Sequence, residues 1–220
     1  MIWFTSDTHY HHKNLVRGVS RWENKGGCRD FDTLQEMDEL LVHNINAVVQ
    51  PDDVLFHLGD FAFKGAEYIY AFRNQIQCKN VHLILGNHDT DIHSNPEIQA
   101  AFSSVDFYRE IDINGQKIVL SHYPFRTWNR GHYGSWMLHG HCHGNLEHQI
   151  PASLLKSLIA NSKWDIIRQL ANNEEVPGYC PNGKTLDVGV DTHPEFRPYS
   201  FHEVREIMEK KTYQKVDSHG

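Results

Sequence analysis

The sequence is poor in cysteine and has no closely spaced cysteine pair. Its four cysteines lie far apart, at Cys28, Cys78, Cys142 and Cys180. Structural zinc clusters and disulfide-bonded scaffolds need closely spaced or abundant cysteines, so the sequence disfavours both. Isolated cysteines suit a reducing compartment, and we predict a cytoplasmic protein.

Long apolar runs and an excess of basic residues are also missing. No run approaches the ~20 apolar residues that a membrane span needs, and the segment from Met1 to Asp7 lacks the features of a signal peptide. The net charge is -7, whereas general nucleic-acid binders use surplus Lys and Arg to displace counterions from phosphates. We therefore predict no membrane association and no stable binding of duplex nucleic acid. The sequence gives no indication of the oligomeric state.

The chain has enough apolar residues for one well-buried core. Its 220 residues, of which 40% are hydrophobic, suit a single domain better than two. Between Ser153 and Leu170 the apolar residues recur with helical spacing. We predict one domain over residues 1–220, with a helical insertion at about 151–180.

The first half of the chain alternates between predicted strands and helices. Short apolar runs predict strands at Ile2–Ser6, Val54–Leu58 and Val81–Leu85. Apolar residues spaced three and four apart predict helices at Asp32–Val49, with Asp32 or Thr33 as its cap, and at Gly65–Ile76. This order is typical of an α/β fold, in which functional loops gather at the carboxyl ends of strands.

The second half is richer in predicted strands. Asn114-Gly115 is a strong hairpin signal between Phe107–Ile113 and Lys117–Ser121. Further strands are predicted at Trp136–Leu138 and Leu186–Val190, and a closing helix at Phe201–Lys210. The organisation of the chain therefore changes near its middle.

Five polar clusters, each directly after a predicted strand, are the main functional signal in a sequence with 17 histidines. Taken singly, each is explained as well by a turn, a helix cap or an outward-facing strand residue. Together they place carboxylates, imidazoles and one amide oxygen at strand ends that converge on one sheet edge, which favours a shared site. The clusters are Asp7-Thr8-His9, Gly59-Asp60, Gly86-Asn87-His88-Asp89, Ser121-His122 and Gly140-His141-Cys142-His143.

The mixture of ligands in these clusters suits Mn, Fe, Zn or Ni better than calcium or a thiolate-bound metal. The groups are numerous enough for two ions. A pair of ions about 3.5–4 Å apart that shares a carboxylate suits phosphoryl chemistry, because it can activate water and clamp phosphate oxygens.

The order of these motifs resembles that of the calcineurin-like metallophosphoesterases, whose pattern is Asp-x-His, Gly-Asp, Gly-Asn-His-Asp/Glu, His and Gly-His-x-His. The resemblance runs from Ile2 to Asp191 and looks closest to small stand-alone prokaryotic or phage-borne members. It implies an α/β fold, a four-layer α-β-β-α sandwich of two mixed sheets flanked by helices. The residues after Asp60 begin Phe61-Ala62 rather than with the further Asp-Arg-Gly of the Ser/Thr protein phosphatases, which disfavours that subfamily.

The same resemblance implies a role for each motif residue. A hydroxide bridging two ions would attack phosphorus, while His88 would assist the leaving group and Asp89 would hold the His88 ring and tune its pKa. Asp60 would be shared between the ions. The first ion would be bound by Asp7, His9, Asp60 and His143, and the second by Asp60, Asn87, His122 and His141.

Three further residues are weaker candidates for substrate binding. Arg126 and Arg130 follow His122 in a loop that also carries aromatic side chains, so they could grip phosphate beside a stacked base. A surface loop pinned by packed aromatics explains these arginines equally well. His12 could line the pocket near Asp7, although a solvated or structural role explains a single histidine better.

Two other residues are predicted to lie outside the chemistry. His57 falls inside a predicted buried strand and is expected to be a core histidine with satisfied hydrogen bonds. Cys142 is expected to point away from the metals, on the assumption that its segment is extended and that alternate residues face opposite sides.

We predict a metal-dependent phosphodiesterase that acts on a nucleotide or short oligonucleotide. The cofactors would be two divalent transition metal ions, Mn first and Fe, Ni or Zn as alternatives. A phosphomonoesterase using the same site is the leading alternative. All seven predicted ligands and His88 are present, which disfavours an inactive binding protein and a single-metal structural protein.

Overall fold

The computed structural model describes residues 1–146, 159–163, 165–166 and 183–211. Within these residues the chain forms two β-sheets with helices packed around them. The strands are β1 Ile2–Thr5, β2 Val54–His57, β3 Asn80–Ile84, β4 Ser104–Asp106, β5 Tyr108–Ile113, β6 Gln116–Ser121, β7 Trp136–His139, β8 Thr185–Asp187 and β9 Tyr199–Ser200. The α-helices that lie wholly within the described residues are α1 Leu34–Val48, α2 Ala66–Gln75, α3 Thr90–Ser94, α4 Pro96–Gln99 and α5 Phe201–Lys210.

The first sheet has the strand order β4-β3-β2-β1-β9. Its first four strands are parallel, and β9 pairs with β1 in the antiparallel direction. The parallel pairs β1–β2 and β2–β3 are connected through α1 and α2, as expected for crossover connections. Consequently, the loops that follow β1, β2 and β3 emerge side by side at one edge.

The second sheet has the order β5-β6-β7-β8. β5 and β6 form the predicted hairpin, and both Asn114 and Gly115 have positive φ angles of 54° and 88°, which the tight turn requires. β6, β7 and β8 are parallel, so the loops after β6 and β7 also leave from one edge. The expectation of two mixed sheets with flanking helices is confirmed.

Two apolar cores hold these layers together. One lies between the first sheet and the helices α1 and α2, where Leu55 and Leu83 pack with Leu41 and Phe72. The other contains buried residues of both sheets, such as Phe4 and Leu138, together with Met208 of α5. The core residues of β1 and β2 alternate between the two clusters because successive strand residues face opposite sides.

The two sheets are joined directly at the edge where the polar loops emerge. Ser6, immediately after β1, pairs with Gly189, which follows β8, and the amide of Val190 donates to the Ser6 carbonyl at 3.0 Å. The loops after β1 and β2 also stay paired, since the Asp7 amide donates to the Gly59 carbonyl at 2.9 Å. These contacts bring strand ends from both sheets to one place.

Several predicted boundaries need correction. α1 begins at Leu34 rather than at Asp32, because Thr33, one of the two predicted caps, accepts a hydrogen bond from the Glu36 amide. The strand predicted at Leu186–Val190 ends at Asp187, because the chain then turns to pair Gly189 with Ser6. Sequence reasoning did not predict α3, α4, β4 or β9.

Other predictions fall outside the described residues. The helix predicted between Ser153 and Leu170, and the insertion at about 151–180, lie largely in that part of the chain. The same holds for the polar C-terminal segment from Thr212 to Gly220. None of the helices in the described ranges has the length and apolar character that crossing a bilayer requires.

Candidate metal centre and active site

Sharp turns after the strands aim the predicted ligands at one another. Five of the seven have a left-handed backbone with φ between 46° and 69°. Such angles are uncommon for residues with a Cβ, although Asp and His adopt them more readily than most. They reverse the chain direction at once, so the side chains face the shared sheet edge. The five are Asp7, His9, Asp60, His141 and His143.

The first predicted ligand set is assembled around Asp7. His9 Nε2 lies 4.0 Å and His143 Nε2 lies 3.9 Å from Asp7 Oδ1. His9 Nε2 also lies 3.5 Å from Asp60 Oδ2. Asp7, His9 and Asp60 are at most 3% exposed, so their polar atoms face one another rather than solvent. The structure thus brings all four residues of this set together.

The second predicted set surrounds Asn87. Its Oδ1 atom lies 3.1 Å from His122 Nε2 and 3.0 Å from His141 Nδ1. His122 Nε2 lies 3.5 Å from Asp60 Oδ2, the same oxygen that faces His9. Asp60 therefore stands between the two sets.

The polar atoms of these side chains are better suited to binding a cation than to hydrogen bonding with one another. His122 Nδ1 lies 2.8 Å from the Leu58 carbonyl, which can only accept, so Nδ1 must carry a proton and Nε2 of the neutral ring is an acceptor. That acceptor faces the Asn87 oxygen, another acceptor, and needs a cation or a second proton between them. Ligands about 2.1 Å from one ion would themselves lie roughly 3.0–3.5 Å apart, which matches the spacings around Asn87 and Asp60. The distances of 4.0 and 3.9 Å from Asp7 Oδ1 to the His9 and His143 rings are longer. Three overlapping groups could hold an ion: Asp7, His9 and His143; His9, Asp60 and His88; and Asp7, Asp60 and His122.

Burial makes the site favourable for a cation. Removal from water raises the pKa of the Asp7 carboxyl to about 6, although His143 and His122 oppose this shift. Burial, reinforced by Arg29 and the neighbouring histidines, lowers the pKa of His9 well below its usual range. A buried carboxylate with a neutral imidazole beside it is what a divalent ion needs, because metal ligands must be deprotonated.

Asp89 holds the loops after β2 and β3 together. Its Oδ2 accepts from the amides of Asp60 and Gly86 at 2.8 Å, and its Oδ1 accepts from the Phe61 amide at 2.9 Å. Gly86 has no side chain because a Cβ there would collide with Asp60. Burial raises the pKa of Asp89 to about 6, even though these three amides oppose the shift.

This arrangement corrects the expected partner of Asp89. The sequence predicted a contact between Asp89 and the His88 ring, whereas the described hydrogen bonds direct both carboxylate oxygens to backbone amides. His88 is instead held through its own amide, which donates to Asp60 Oδ1 at 2.8 Å. Asp89 thus positions the loop that carries His88 and leaves the ring free to face the site.

His88 stands at the exposed rim of the site beside an aromatic wall. Its ring centroid lies 5.2 Å from His9, 5.8 Å from Phe63 and 6.1 Å from His12. His12 stacks on Phe63 at 3.6 Å, and the exposed Trp22 meets the His12 ring edge-on at 6.0 Å. Burial and the nearby His88 lower the pKa of His12 to about 4, so this ring is neutral at pH 7.

The predicted arginines are not brought to the metal ligands by any described contact. Arg126 and Arg130 are exposed, and the Arg130 guanidinium lies over the Tyr133 ring at 5.9 Å. Their role in substrate binding stays a prediction. Tyr123, in the same loop, lies closer: its hydroxyl is 3.5 Å from Asn87 Oδ1, and its ring centroid is 4.7 Å from that of His141.

The two residues predicted to lie outside the chemistry differ in outcome. His57 is fully buried, and its Nε2 lies 2.8 Å from the Thr8 hydroxyl, but its Nδ1 has no described hydrogen-bond partner. It is a core histidine, as predicted, with only one nitrogen satisfied. The reasoning for Cys142 was wrong in its premise, because β7 ends at His139 and the following residues turn instead of extending.

Sequence reasoning missed a buried network behind His143. Arg29 binds both Asp191 oxygens at 2.8 Å, and Asp191 Oδ2 lies 2.7 Å from His143 Nδ1. Burial would raise the pKa of Asp191, but Arg29 and His143 outweigh it and hold the pKa below the usual range. The position of Asp191 directly after the strand predicted at Leu186–Val190 was a weak indication that it belongs to the site. Nothing in the sequence singled out Arg29.

Carboxylate, imidazole and amide ligands meet where strand ends of two packed sheets converge. This combination is that of an α/β sandwich protein with a candidate metal-binding site at the sheet edge. The sequence profile of the calcineurin-like phosphoesterases matches residues 1–210. The chain belongs to this family of metal-dependent phosphoester hydrolases.

Individual proteins are similar to this chain over much of its length. The uncharacterized protein MJ1445 of Methanocaldococcus jannaschii is 28% identical over 215 residues, covering 95% of this chain and 92% of the relative. The Gene 66 protein of Mycobacterium phage L5 is 27% identical over 170 residues, covering 64% of this chain and 76% of the relative. The crystal structure of AQ665, a protein of unknown function from Aquifex aeolicus, superposes with a TM-score of 0.51 at 21% identity, over 94% of this chain and 98% of that one.

Proposed function

We propose that this protein hydrolyses phosphodiester bonds of nucleotide-type substrates at a binuclear centre of divalent transition metals, with Mn favoured. The position of Asp60 carries the proposal. One of its oxygens, Oδ2, lies 3.5 Å from both His9 Nε2 and His122 Nε2, while Oδ1 is occupied by the His88 amide. A single carboxylate oxygen between two ligand sets is the arrangement that two neighbouring ions require.

The residues divide into two groups that would each hold one ion. Asp7, His9 and His143 would bind one ion and Asn87, His122 and His141 the other, with Asp60 shared. Two bound cations would supply a more acidic water and a clamp for the phosphate oxygens. Mn suits this mixture of hard oxygen and borderline nitrogen ligands.

His88 would give its proton to the departing oxygen. It lies at the rim of the site, near His9 and Asp60, and its loop is fixed by the Asp89 carboxylate. A proton delivered to the leaving alkoxide lowers the cost of breaking the phosphorus–oxygen bond, typically 10²–10⁴-fold in rate. His9 cannot take this role readily, because burial keeps its ring neutral and its Nε2 faces the carboxylates.

The aromatic surroundings support a nucleotide-type substrate. On one side of the centre, the stacked His12 and Phe63 rings adjoin the exposed Trp22. On the other side, Tyr123 is exposed at the rim beside His141. Flat aromatic faces stack on bases without sequence preference. A phosphate between two nucleosides could therefore sit at the metals with a base on either side.

The test is hydrolysis of bis-p-nitrophenyl phosphate by chelator-treated protein to which Mn is returned. We expect activity that depends on Mn and disappears with chelator. Asp60→Asn should abolish it by damaging both metal positions, while Asp91→Asn, which changes an exposed carboxylate on α3, should leave it intact. Inertness of the parent with each of Mn, Ni, Zn and Fe would contradict the proposed activity.

A substrate panel then separates diester from monoester hydrolysis. It should compare 2′,3′-cyclic nucleotides, 3′,5′-cyclic nucleotides, short oligonucleotides and simple phosphate monoesters. We expect a diester to show the highest kcat/KM. If a monoester is fastest with every metal, the protein is a phosphomonoesterase that uses the same centre.

A further inference from the structure

We propose that Arg29 and Asp191 form a positioning pair that sets the geometry and affinity of one metal position, the one formed by Asp7, His9 and His143, and not of the other. The inference rests on the proposed binuclear centre. It adds two residues, from a loop and from the segment after β8, that none of the ligand motifs contains.

Asp191 determines how His143 faces the site. Its Oδ2 lies 2.7 Å from His143 Nδ1, so in the neutral ring that a metal ion needs the proton would be held on Nδ1 and Nε2 would be the acceptor. Nε2 is the atom that faces Asp7, at 3.9 Å. A histidine ligand is commonly oriented in this way by a carboxylate on its other nitrogen.

Arg29 fixes Asp191 and the backbone of Asp7 and Thr8, in the loop that carries the ligands Asp7 and His9, at the same time. Its Nε and Nη2 atoms each lie 2.8 Å from an Asp191 oxygen. Its remaining hydrogens reach the carbonyls of Asp7 and Thr8, at 2.5 Å and 2.8 Å. The guanidinium is planar and rigid, so it holds the loop after β1 and the Asp191 carboxylate in one fixed relation.

Arg29 is itself anchored before it reaches the site. Its amide donates to the Leu15 carbonyl at 2.7 Å, its carbonyl accepts from the Arg17 amide at 3.0 Å, and its guanidinium touches the Met37 sulfur at 3.6 Å. Its side chain is only 5% exposed. Because these contacts fix the position of Arg29, its guanidinium can orient Asp191 and the loop after β1. An exposed and mobile arginine could not do so.

The second metal position is supported by different groups. His122 is oriented by the Leu58 carbonyl, and Asn87 and His141 lie against each other. No described hydrogen bond joins Arg29 or Asp191 to these three residues. Loss of the pair should therefore weaken one position selectively, which a purely structural role would not do.

The experiment measures metal binding directly. Metal-free parent and Asp191→Asn protein are dialysed against increasing Mn concentrations, bound metal is counted by elemental analysis, and paired ions are detected by the spin coupling in the Mn electron paramagnetic resonance spectrum. Asp191→Asn keeps the size of the side chain and one acceptor oxygen. We expect two bound ions in the parent. In the variant we expect the Mn affinity of the position formed by Asp7, His9 and His143 to fall 10–100-fold, as is typical when such an orienting carboxylate is lost. The Mn affinity of the other position should not change. At low Mn the variant should therefore show the resonance spectrum of a single, uncoupled ion.

Glu203→Gln is the matched control. Glu203 also binds an arginine through both oxygens, Arg197 at 2.7 Å and 3.2 Å, and lies 3.6 Å from a histidine, His193, but it belongs to the α5 cap. This variant should lose stability and keep both metal affinities. Arg29→Gln should reproduce Asp191→Asn; if Arg29→Gln does not fold, Asp191→Ala serves as the second variant.

The outcomes separate this inference from the proposed function. A parent that binds no metal would refute the binuclear centre and the positioning pair with it. A parent with two ions whose affinities are both unchanged in Asp191→Asn would refute the pair alone. Equal weakening of both positions would also refute it, because the proposed effect is confined to one.

Discussion

At the level of single residues, the candidate metal centre depends on ligand residues whose backbone adopts an unfavourable, left-handed conformation. A left-handed residue with a Cβ costs on the order of 1–2 kcal/mol, and Asp7, His9, Asp60, His141 and His143 all adopt this conformation. This conformation reverses the chain direction within one residue, and the reversal points each ligand side chain into the site. Strain of this kind is frequent at functional sites, where the surrounding structure maintains it.

His88 should matter most when the leaving group is poor. In His88→Ala, we expect kcat to fall about 10²–10⁴-fold for a diester that releases an alkoxide. The loss should be small for bis-p-nitrophenyl phosphate, whose leaving group departs without a proton. The ratio of kcat for the two substrates is the measurement. His93→Ala, a change at an exposed histidine on α3, is the control, and loss of a metal ion from His88→Ala would contradict the assigned role.

His57 should contribute to acid sensitivity. Burial, with a smaller effect of His122, lowers the pKa of His57 to about 3. Since this folded-state pKa lies below the unfolded value of 6.5, the stability that depends on the neutral ring is complete above pH 6.5 and is lost as pH falls towards 3. For one such group the slope is about 1.4 kcal/mol per pH unit.

The measurement compares His57→Gln with the parent in denaturant titrations of metal-free protein between pH 6.5 and 4.5. Gln can keep the contact to Thr8 and does not titrate, so we expect its stability to fall less steeply with acid. Asp7 and Asp89, whose pKa values burial raises to about 6, act with the opposite sign in both proteins, and the difference between the two proteins removes their effect. Parallel pH profiles would contradict the assignment.

At the level of elements, the loops after β2 and β3 act as one unit because Asp89 ties them together. Asp89→Asn would turn an amide nitrogen towards at least one of the backbone amides of Asp60, Phe61 or Gly86, leaving a buried donor without an acceptor. We expect a loss of about 1–3 kcal/mol in the free energy of unfolding and weaker metal binding. Chemical denaturation and Mn titration measure the two effects.

The control for this change is Asp91→Asn. Asp91 also accepts from a backbone amide, that of Gly65 at 2.8 Å, but it is exposed. Water can replace that hydrogen bond, so we expect a change within about 0.5 kcal/mol. A similar loss in both variants would show that Asp89 has no special role in holding the loops.

Elements with strong local signals were predicted well from the sequence. α5 matches its predicted range because Ser200 and Glu203 form a capping box at its start. The β5–β6 hairpin follows from Asn114-Gly115. β4 and β9 were missed because strands of three and two residues carry too few residues for an alternating pattern. Their formation depends on pairing with β3 and β1, which are distant in the sequence.

In the candidate site, too, the residues that belong to local sequence motifs could be predicted, and the partners that are distant in the sequence could not. Its ligands could be named because each follows a strand and the motifs recur in a fixed order. The partners behind the ligands could not, since Arg29 and Asp191 are 162 positions apart and neither belongs to a motif. The actual partners of Asp89 could not be predicted either, because they are backbone amides, which nearly every residue has.

At the level of the whole molecule, the proposed metals would link the two sheets. Asp7, His9, Asp60 and Asn87 follow strands of the first sheet, whereas His122, His141 and His143 follow strands of the second. The protein groups already meet here through the Ser6–Gly189 bridge and the bond from the His141 amide to Asp7 at 3.0 Å. Ions bound across this seam would therefore stabilise the packing of one sheet on the other.

Metal should accordingly raise the thermal midpoint of the whole protein. Ligand at 100 times its dissociation constant adds about 2.7 kcal/mol to the free energy of unfolding, and we expect a single, later transition with Mn than with chelator. Metal binding needs the Asp7 carboxylate, whose pKa burial raises to about 6, so the gain should be full at pH 7.5 and shrink as pH falls below 6. Differential scanning calorimetry at pH 7.5 and 5.5 measures both effects. Asp60→Asn should remove this increase in the thermal midpoint at either pH. A midpoint that does not change with Mn at pH 7.5 would contradict the proposal that the ions link the two sheets.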